Sequence, residues 1–152
     1  MDNKEGLMKP SESPDLISII GRVALLMCKS DDYCQFPIAC LAIWIKPAAL
    51  LRQIHFFKDV SGSDVGYMTW AAVRPDTDAR LRSDPEVILH VSEWNEGEIF
   101  WVMDFVSVNG RVREKLAEAE LIIPSLRVAY SARRDDEGRV KRVSKWFRRT
   151  RT

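Results

Sequence analysis

A single carboxylate stands in the most apolar strand-like segment of the chain. From Ile99 to Val108 the only ionisable side chain is Asp104. An ionised carboxylate that leaves water without partners shifts its pKa and becomes neutral, so a fold that buries this strand must give Asp104 a partner or a function. The partner could be structural, an arginine or a set of backbone N–H donors. A catalytic role is the other interpretation, because a Gly-containing turn and an amphipathic helix follow, a common layout for strand-end active sites.

The length and composition favour one domain with a proper core, since 46% of the 152 residues are apolar. The longest apolar runs, such as Phe36 to Ile45, are shorter than the roughly 20 residues that a membrane span needs. The first residues lack the basic start and apolar body of a signal peptide. We therefore expect a cytoplasmic protein without a membrane span, with a disordered segment over residues 1–12 and a single domain over residues 13–152.

The cysteines predict neither a disulfide framework nor a metal site. Cys28, Cys34 and Cys40 are an odd number, lack a C-x-x-C pair and lie in apolar surroundings, which favours reduced thiols. With only His55 and His90 as further soft ligands, the spacings do not suit zinc. Cys34 could be a nucleophile, but no neighbouring base would activate it, so we expect a small buried hydrophobic residue there.

The charge is unevenly distributed along the chain. From Arg133 onward there are nine Lys/Arg and three Asp/Glu residues, a net charge of +6, whereas the preceding residues carry −5. Trp146 and Phe147 are the only aromatic residues in this basic part, and no nucleic-acid motif accompanies them, so nucleic acid is an unlikely partner. The basic part suits an acidic protein partner or a solvated chain end.

The periodicity of apolar residues predicts an α+β domain. Ser13-Pro14-Asp15 has the residues of a helix start, and apolar residues recur at helical spacing up to Lys29. The further predicted elements are a helical segment over Ile38–Ile45 that Pro47 interrupts, strands over 55–58, 65–73 and 99–106, a helix over 111–121, and a final hairpin of 126–132 with 139–147. Residues 74–85 suit a helix or a loop, and 86–90 a strand or a helix. This order predicts a mainly antiparallel sheet flanked by helices and resembles the GNAT-like acyltransferase fold, in which the strand carrying Asp104 and the following helix would line the acyl-donor cleft.

The segment around Asp104 also resembles a specific enzyme family. Trp94, Gly97, Trp101, Asp104 and Gly110 follow the spacing of the characteristic segment of the RTX toxin-activating lysine acyltransferases. Shorter stretches match the family in the same order: residues 20–24, Phe36-Pro37, Pro47-Ala48, residues 65–71 and residues 140–144. The resemblance covers roughly residues 19 to 147.

The resemblance implies an activity and a set of functional residues. The family's enzymes are cytoplasmic, usually dimeric, and transfer a fatty acyl group from acyl carrier protein to internal lysines of a protoxin, with the phosphopantetheine thioester as donor and no permanent cofactor. Asp104 occupies the family's essential Asp position, and Ser30 the Ser of its S-x-x-H motif. Tyr33 replaces the catalytic His of that motif, and Val108-Asn109 replaces a Pro-Phe pair.

Two functions follow from this replacement. In an active acyltransferase, Asp104 would assist deprotonation of the acceptor amine, Tyr33 would donate a proton to the departing thiolate, and the turn at Asn109-Gly110 would offer backbone N–H groups to the donor. Tyrosine, with a pKa near 10, is plausible as an acid and rarely as a base. The alternative is a relative that has lost catalysis and binds acyl carrier protein, a toxin or a sister acyltransferase.

Two further residue types have open roles. His90 could have taken over the missing imidazole, but a lone His beside an apolar strand is more often structural. Trp70 could line an acyl channel, although large aromatic residues on strands are more often part of the core.

Overall fold

The computed structural model describes residues 14–123, 128–135 and 137–147. The elements in these ranges follow in the order α1 (Pro14–Lys29), a π-helix (Leu41–Ile45), α2 (Lys46–Leu50), β1 (Ile54–Lys58), β2 (Asp64–Val73), α3 (Pro75–Ser83), a 3₁₀-helix (Val91–Trp94), β3 (Ile99–Ser107), α4 (Val112–Ile122), β4 (Val128–Arg134) and β5 (Val140–Phe147). The segment predicted to be disordered, residues 1–12, and the predicted Ser13 cap lie outside the described residues.

The five strands form one sheet in the order β1-β2-β3-β4-β5. Three neighbouring pairs are antiparallel and the β3–β4 pair is parallel, with α4 in the crossover between them. The predicted α+β class, with a mainly antiparallel sheet and flanking helices, is confirmed and is compatible with a GNAT-like acyltransferase fold. The strand that carries Asp104 is β3, which lies at the centre of the sheet because strands pair on both of its sides.

The parallel strands β3 and β4 pair at only two positions. Phe100 lies opposite Ala129, and Trp101 lies opposite Tyr130. Each strand continues for several residues beyond these pairs. Within the described part of the chain, the edge of β3 that faces β4 therefore has no strand partner beyond Trp101. We call this divergence of the two strands the β3–β4 opening.

Helices cover both faces of the sheet. On the first face, α1, the π-helix, α2 and α3 bury two apolar clusters that include Tyr67 and Trp101. On the second face, Ala119 of α4 packs in a cluster with Trp70 and Val102. Successive strand residues point to opposite faces, so Thr69 and Trp70 are directed to different sides of the sheet.

Three local predictions are wrong. Pro47 does not interrupt the second helical segment, because it lies in the first turn of α2, where a missing N–H is tolerated. Cys34 is exposed rather than buried, since it lies in the series of turns that follows α1. Residues 86–90 form neither of the predicted elements, although Val87 and Leu89 of this segment are buried in the core of the first face.

Candidate active site

Tyr33 and Asp104 are in direct contact on the first face of the sheet. The Tyr33 hydroxyl donates to Oδ1 of Asp104 at 2.9 Å. Tyr33 is placed there because α1 ends at Lys29 and tight turns follow. Ser30 stabilises these turns, since its Oγ accepts a long hydrogen bond of 3.4 Å from the Tyr33 backbone N–H. The three residues predicted as catalytic are therefore connected to one another.

A β-bulge in β3 directs Asp104 to this face. Thr69 pairs with Asp104 across the β2–β3 ladder, but the next residue, Trp70, pairs with Val102, so Met103 is the additional residue. A bulge of this kind re-aims a side chain, and bulges are frequent beside active sites. Here the Thr69 hydroxyl donates to Oδ2 of Asp104 at 3.2 Å.

Both oxygens of the Asp104 carboxylate accept hydrogen bonds from neutral hydroxyls. Among the residues that the structure describes, no lysine or arginine forms an ion pair with it. Burial raises the pKa of Asp104, and the hydrogen bonds from Tyr33 and Thr69 offset part of this rise. A carboxyl group with a raised pKa is a better proton acceptor than a free aspartate, and perturbed acids of this kind are candidates for acid–base catalysis.

The negative charge of Asp104 contributes to a raised pKa in three other titratable groups. Burial, and next the Asp104 charge, hold the pKa of Tyr33 well above its usual value. The same two causes raise the pKa of Tyr67 and of Cys40. Tyr67 is completely buried, and its hydroxyl has no hydrogen-bond partner in the described ranges. The site is thus a cluster of neutral proton-bearing groups around one carboxyl group.

The residues predicted to bind the donor lie at the far end of β3. Asn109 and Gly110 form the exposed turn between β3 and α4, five residues beyond Asp104, a distance on the order of 15 Å along a strand. The buried Lys115 of α4 donates to Oδ1 of Asn109 and, at 2.7 Å, to the Gly110 carbonyl. Gly110 has a φ of 71°, which favours glycine. The structure therefore does not bring this turn into contact with Asp104.

Trp70 and His90 are placed away from the Tyr33–Asp104 pair. Trp70 is 8% exposed and belongs to the core of the second face, opposite the Asp104 side chain. His90 caps the 3₁₀-helix, where its ring accepts from the Ser92 backbone N–H and Glu93 completes the capping box. These contacts correspond to the structural interpretations of both residues.

Three residues of the site region were not expected from the sequence. Thr69, Tyr67 and Lys115 acquire their roles from contacts with residues distant in the chain. The alternation of β2 could have indicated Thr69 and Tyr67, since residues two apart on a strand share a face. No sequence signal distinguishes Lys115 from the other charged residues of α4.

The described residues contain no group of three or more His, Cys, Asp or Glu side chains placed to hold a metal ion. No helix in those ranges is long and apolar enough to cross a bilayer.

The fold and the site define a class of protein. A five-stranded mixed sheet with helices on both faces, and an acid on a bulged central strand beside a diverging parallel neighbour, are compatible with GNAT-like acyltransferases. The sequence model of the RTX toxin acyltransferase family matches residues 12–147, most of the chain, and the chain belongs to this family. It is also similar to an uncharacterized protein of Synechocystis sp., with 23% identity over 133 residues that cover 86% of this chain and 90% of the relative. At the level of the family, the protein is an RTX toxin-activating acyltransferase.

Proposed function

We propose that the protein transfers a fatty acyl group from acyl carrier protein to internal lysines of an RTX-type protoxin. It would act in the cytoplasm as a homodimer of single domains over residues 13–152, with the acyl carrier protein as a substrate and no permanent cofactor. The observation that carries this proposal is the hydrogen bond of 2.9 Å between Tyr33 and Asp104, because it places a proton donor on a carboxyl group with a raised pKa. Family membership supports the acyl-transfer chemistry.

The reaction needs a proton acceptor. A lysine ammonium attacks a thioester only after losing a proton, and it loses a second when the amide N–H replaces the amine. One proton goes to the departing thiolate and one leaves to solvent. Asp104 is the proposed base, since burial makes its carboxylate more basic than that of free aspartate.

Tyr33 is the proposed donor to the thiolate. Its pKa is raised first by burial and next by the negative charge of Asp104, so the phenol stays protonated while Asp104 is ionised. When Asp104 takes a proton from the amine, this charge disappears and the phenol becomes a stronger acid. The phenol then protonates the thiolate and recovers its proton from Asp104 through their hydrogen bond. Ser30 positions Tyr33 through the turn and takes no proton itself.

The β3–β4 opening supports a thioester donor with an amide-containing arm. Backbone groups at the free edge of β3 can pair with the amides of phosphopantetheine as a strand would. The same edge carries Asp104. The turn at Asn109-Gly110 would then contact the donor at the outer end of β3. Trp70 belongs to the apolar core on the second face of the sheet and would form the boundary of the donor site on that side.

The test is an acylation assay with matched variants. The protein is mixed with palmitoyl acyl carrier protein and a lysine-containing RTX fragment, and the mass of the fragment is followed. We expect Asp104→Asn to lower the rate by about 10²-fold to 10⁴-fold, the usual contribution of general acid–base catalysis. Tyr67→Phe removes a buried phenol hydroxyl that has no described partner, and it is the control for Tyr33→Phe. No mass gain with the wild-type protein, where an authentic family member acylates the same fragment, would refute the proposal.

A second candidate is a relative that binds acyl carrier protein, a toxin or a sister acyltransferase without catalysis. The raised pKa of Tyr33 favours it, because a phenol of this kind cannot replace imidazole as a base near neutral pH. Tyr33→His separates the two functions. Activity that appears only in this variant would identify a lapsed enzyme, whereas wild-type activity that Tyr33→Phe lowers by about 10²-fold to 10⁴-fold would identify the phenol as catalytic.

A further inference from the structure

Two arginines face each other across the last hairpin of the sheet. Arg133 of β4 is the register partner of Arg142 of β5, and both side chains are exposed. Residues directly opposite on antiparallel strands point to the same face, with Cβ atoms about 5 Å apart, and like charges in such pairs are destabilising. Within the described ranges, neither guanidinium group has a hydrogen bond or an ion pair, whereas Arg139 pairs with Asp135 and Glu137 in the adjacent turn. The fold thus holds an unneutralised cation pair.

The arginine pair lies on the second face of the sheet. Two residues along each strand, Ser131 lies opposite Ser144, and the Trp146 indole N–H donates to Oγ of Ser131 at 2.9 Å. Trp146 in turn contacts Phe105 in the apolar cluster of that face. The alternation of strand residues therefore places both arginines on this face.

The pair also lies beside the β3–β4 opening. The last pair between the two strands joins Trp101 of β3 to Tyr130 of β4. Arg133 follows Tyr130 by three residues, and Asp104 follows Trp101 by three residues. Arg133 and Asp104 therefore both lie beyond the last β3–β4 pair, one on each arm of the opening, with the Asp104 side chain on the first face of the sheet and the arginines on the second. An arm that extends from a partner anchored at the arginines would reach the Asp104 side of the sheet through this opening.

We propose that Arg133 and Arg142 form the docking surface for the acidic carrier protein that presents the phosphopantetheine thioester. Charge complementarity supports this partner, because the basic part from Arg133 onward carries +6 while the rest of the chain carries −5 and repels acidic proteins. The proposal deepens the proposed function and depends on it for the identity of the partner.

The test measures docking separately from catalysis. Recombinant holo acyl carrier protein, which has no acyl group to transfer, is titrated into the wild-type protein and into Arg133→Glu, Arg142→Glu and Lys58→Glu variants. We expect each arginine reversal to raise the Kd at least about tenfold and to reduce its salt dependence. Lys58→Glu is the control, because Lys58 is an exposed cation on β1, at the other edge of the five-stranded sheet, and its Kd should stay within about twofold of wild type.

A stability measurement excludes unfolding as the cause. Arg142→Glu converts the like-charge pair into an opposite-charge pair with Arg133, so its Tm should equal or exceed that of the wild type while carrier binding falls. Absence of wild-type binding to the carrier, equal effects of Lys58→Glu and Arg142→Glu, or tighter binding to single-stranded DNA or anionic vesicles than to the carrier would each overturn the docking proposal. Carrier binding that needs the arginines without any acyl transfer would sustain it and refute the enzymatic function. Acyl transfer that the two arginine reversals leave unchanged would sustain the enzymatic function and refute the docking proposal.

Discussion

Thr69 and Asp104 are partners across the β2–β3 ladder, and the Thr69 hydroxyl donates to the carboxyl group at 3.2 Å. Tyr33 occupies the other oxygen at 2.9 Å. Two hydroxyls orient the carboxyl group without neutralising it, in contrast to Asp64, which Arg22 holds with two hydrogen bonds of 2.7 Å. Asp104 can therefore exchange a proton with a neighbouring group, whereas the ion pair of Asp64 with Arg22 connects α1 to the sheet.

Asp104→Asn should stabilise the protein at neutral pH. Burial raises the pKa of Asp104 above its unfolded value of about 3.9, so the charged form destabilises the folded state at any pH above the folded pKa. Each unit between the two pKa values corresponds to about 1.4 kcal/mol. We expect Asn to raise the free energy of unfolding at pH 7, with a gain that shrinks as the pH falls through the folded pKa toward 4.

Urea denaturation at several pH values checks this prediction. Asp78→Asn is the control, because Asp78 accepts from the Trp101 indole and from Arg82, and its replacement should not increase stability. A less stable Asp104→Asn protein at pH 7 would show that the ionised carboxylate has a stabilising partner.

Tyr33→Phe should move the ascending limb of the pH–activity profile to higher pH. The hydrogen bond from Tyr33 lowers the pKa of Asp104, so its removal raises that pKa and the base becomes ionised only at higher pH. The measurement is kcat/KM for acyl transfer as a function of pH. Tyr67→Phe should leave the limb in place, since the Tyr67 hydroxyl donates to no residue that the structure describes. An unchanged limb in Tyr33→Phe would contradict the role of Asp104 as the base.

Gly97→Ala should destabilise the fold. A Cβ at Gly97 would collide with the Val73 carbonyl oxygen, and the backbone would have to move. Overpacking of this kind typically costs about 1–3 kcal/mol. Gly21→Ala is the matched control, because nothing lies within 4 Å of its Cβ position in α1 and Ala is favoured over Gly in helices by roughly 0.5–1 kcal/mol. Denaturant titration should show opposite signs for the two variants, and a stable Gly97→Ala protein would exclude this close approach.

Lys115→Met should loosen the turn between β3 and α4. Lys115 is 4% exposed, and its ammonium group holds Asn109 and the Gly110 carbonyl. Met fills a similar volume but donates no hydrogen bond, so amide hydrogen exchange at residues 108–112 should become faster and the KM for the acyl carrier protein should rise more than kcat falls. Arg113→Met, on the exposed side of the same helix, is the control. Unchanged exchange in Lys115→Met would show that the turn holds its shape without the lysine.

Much of the fold could be predicted because its signals are local. The apolar run around Asp104, the alternation of the last two strands and the helical periodicity of α1 are signals from neighbouring residues, and the strands and the helix that these three signals predict exist. Pro47 shows the limit of such signals, because a proline can either end a helix or occupy the first turn of one, and the local sequence does not decide between the two.

The sequence by itself determined that an acid would lie on a central apolar strand and that helices would flank a mainly antiparallel sheet. Only the tertiary structure decided that the Tyr33 phenol reaches Asp104 from 71 residues away, that Trp70 points to the opposite face, and that β4 diverges from β3 after two pairs. The physical reason is that periodicity assigns a residue to one side of its own element. Contacts between elements depend on bulges, register and helix packing, which are set by the whole core at once.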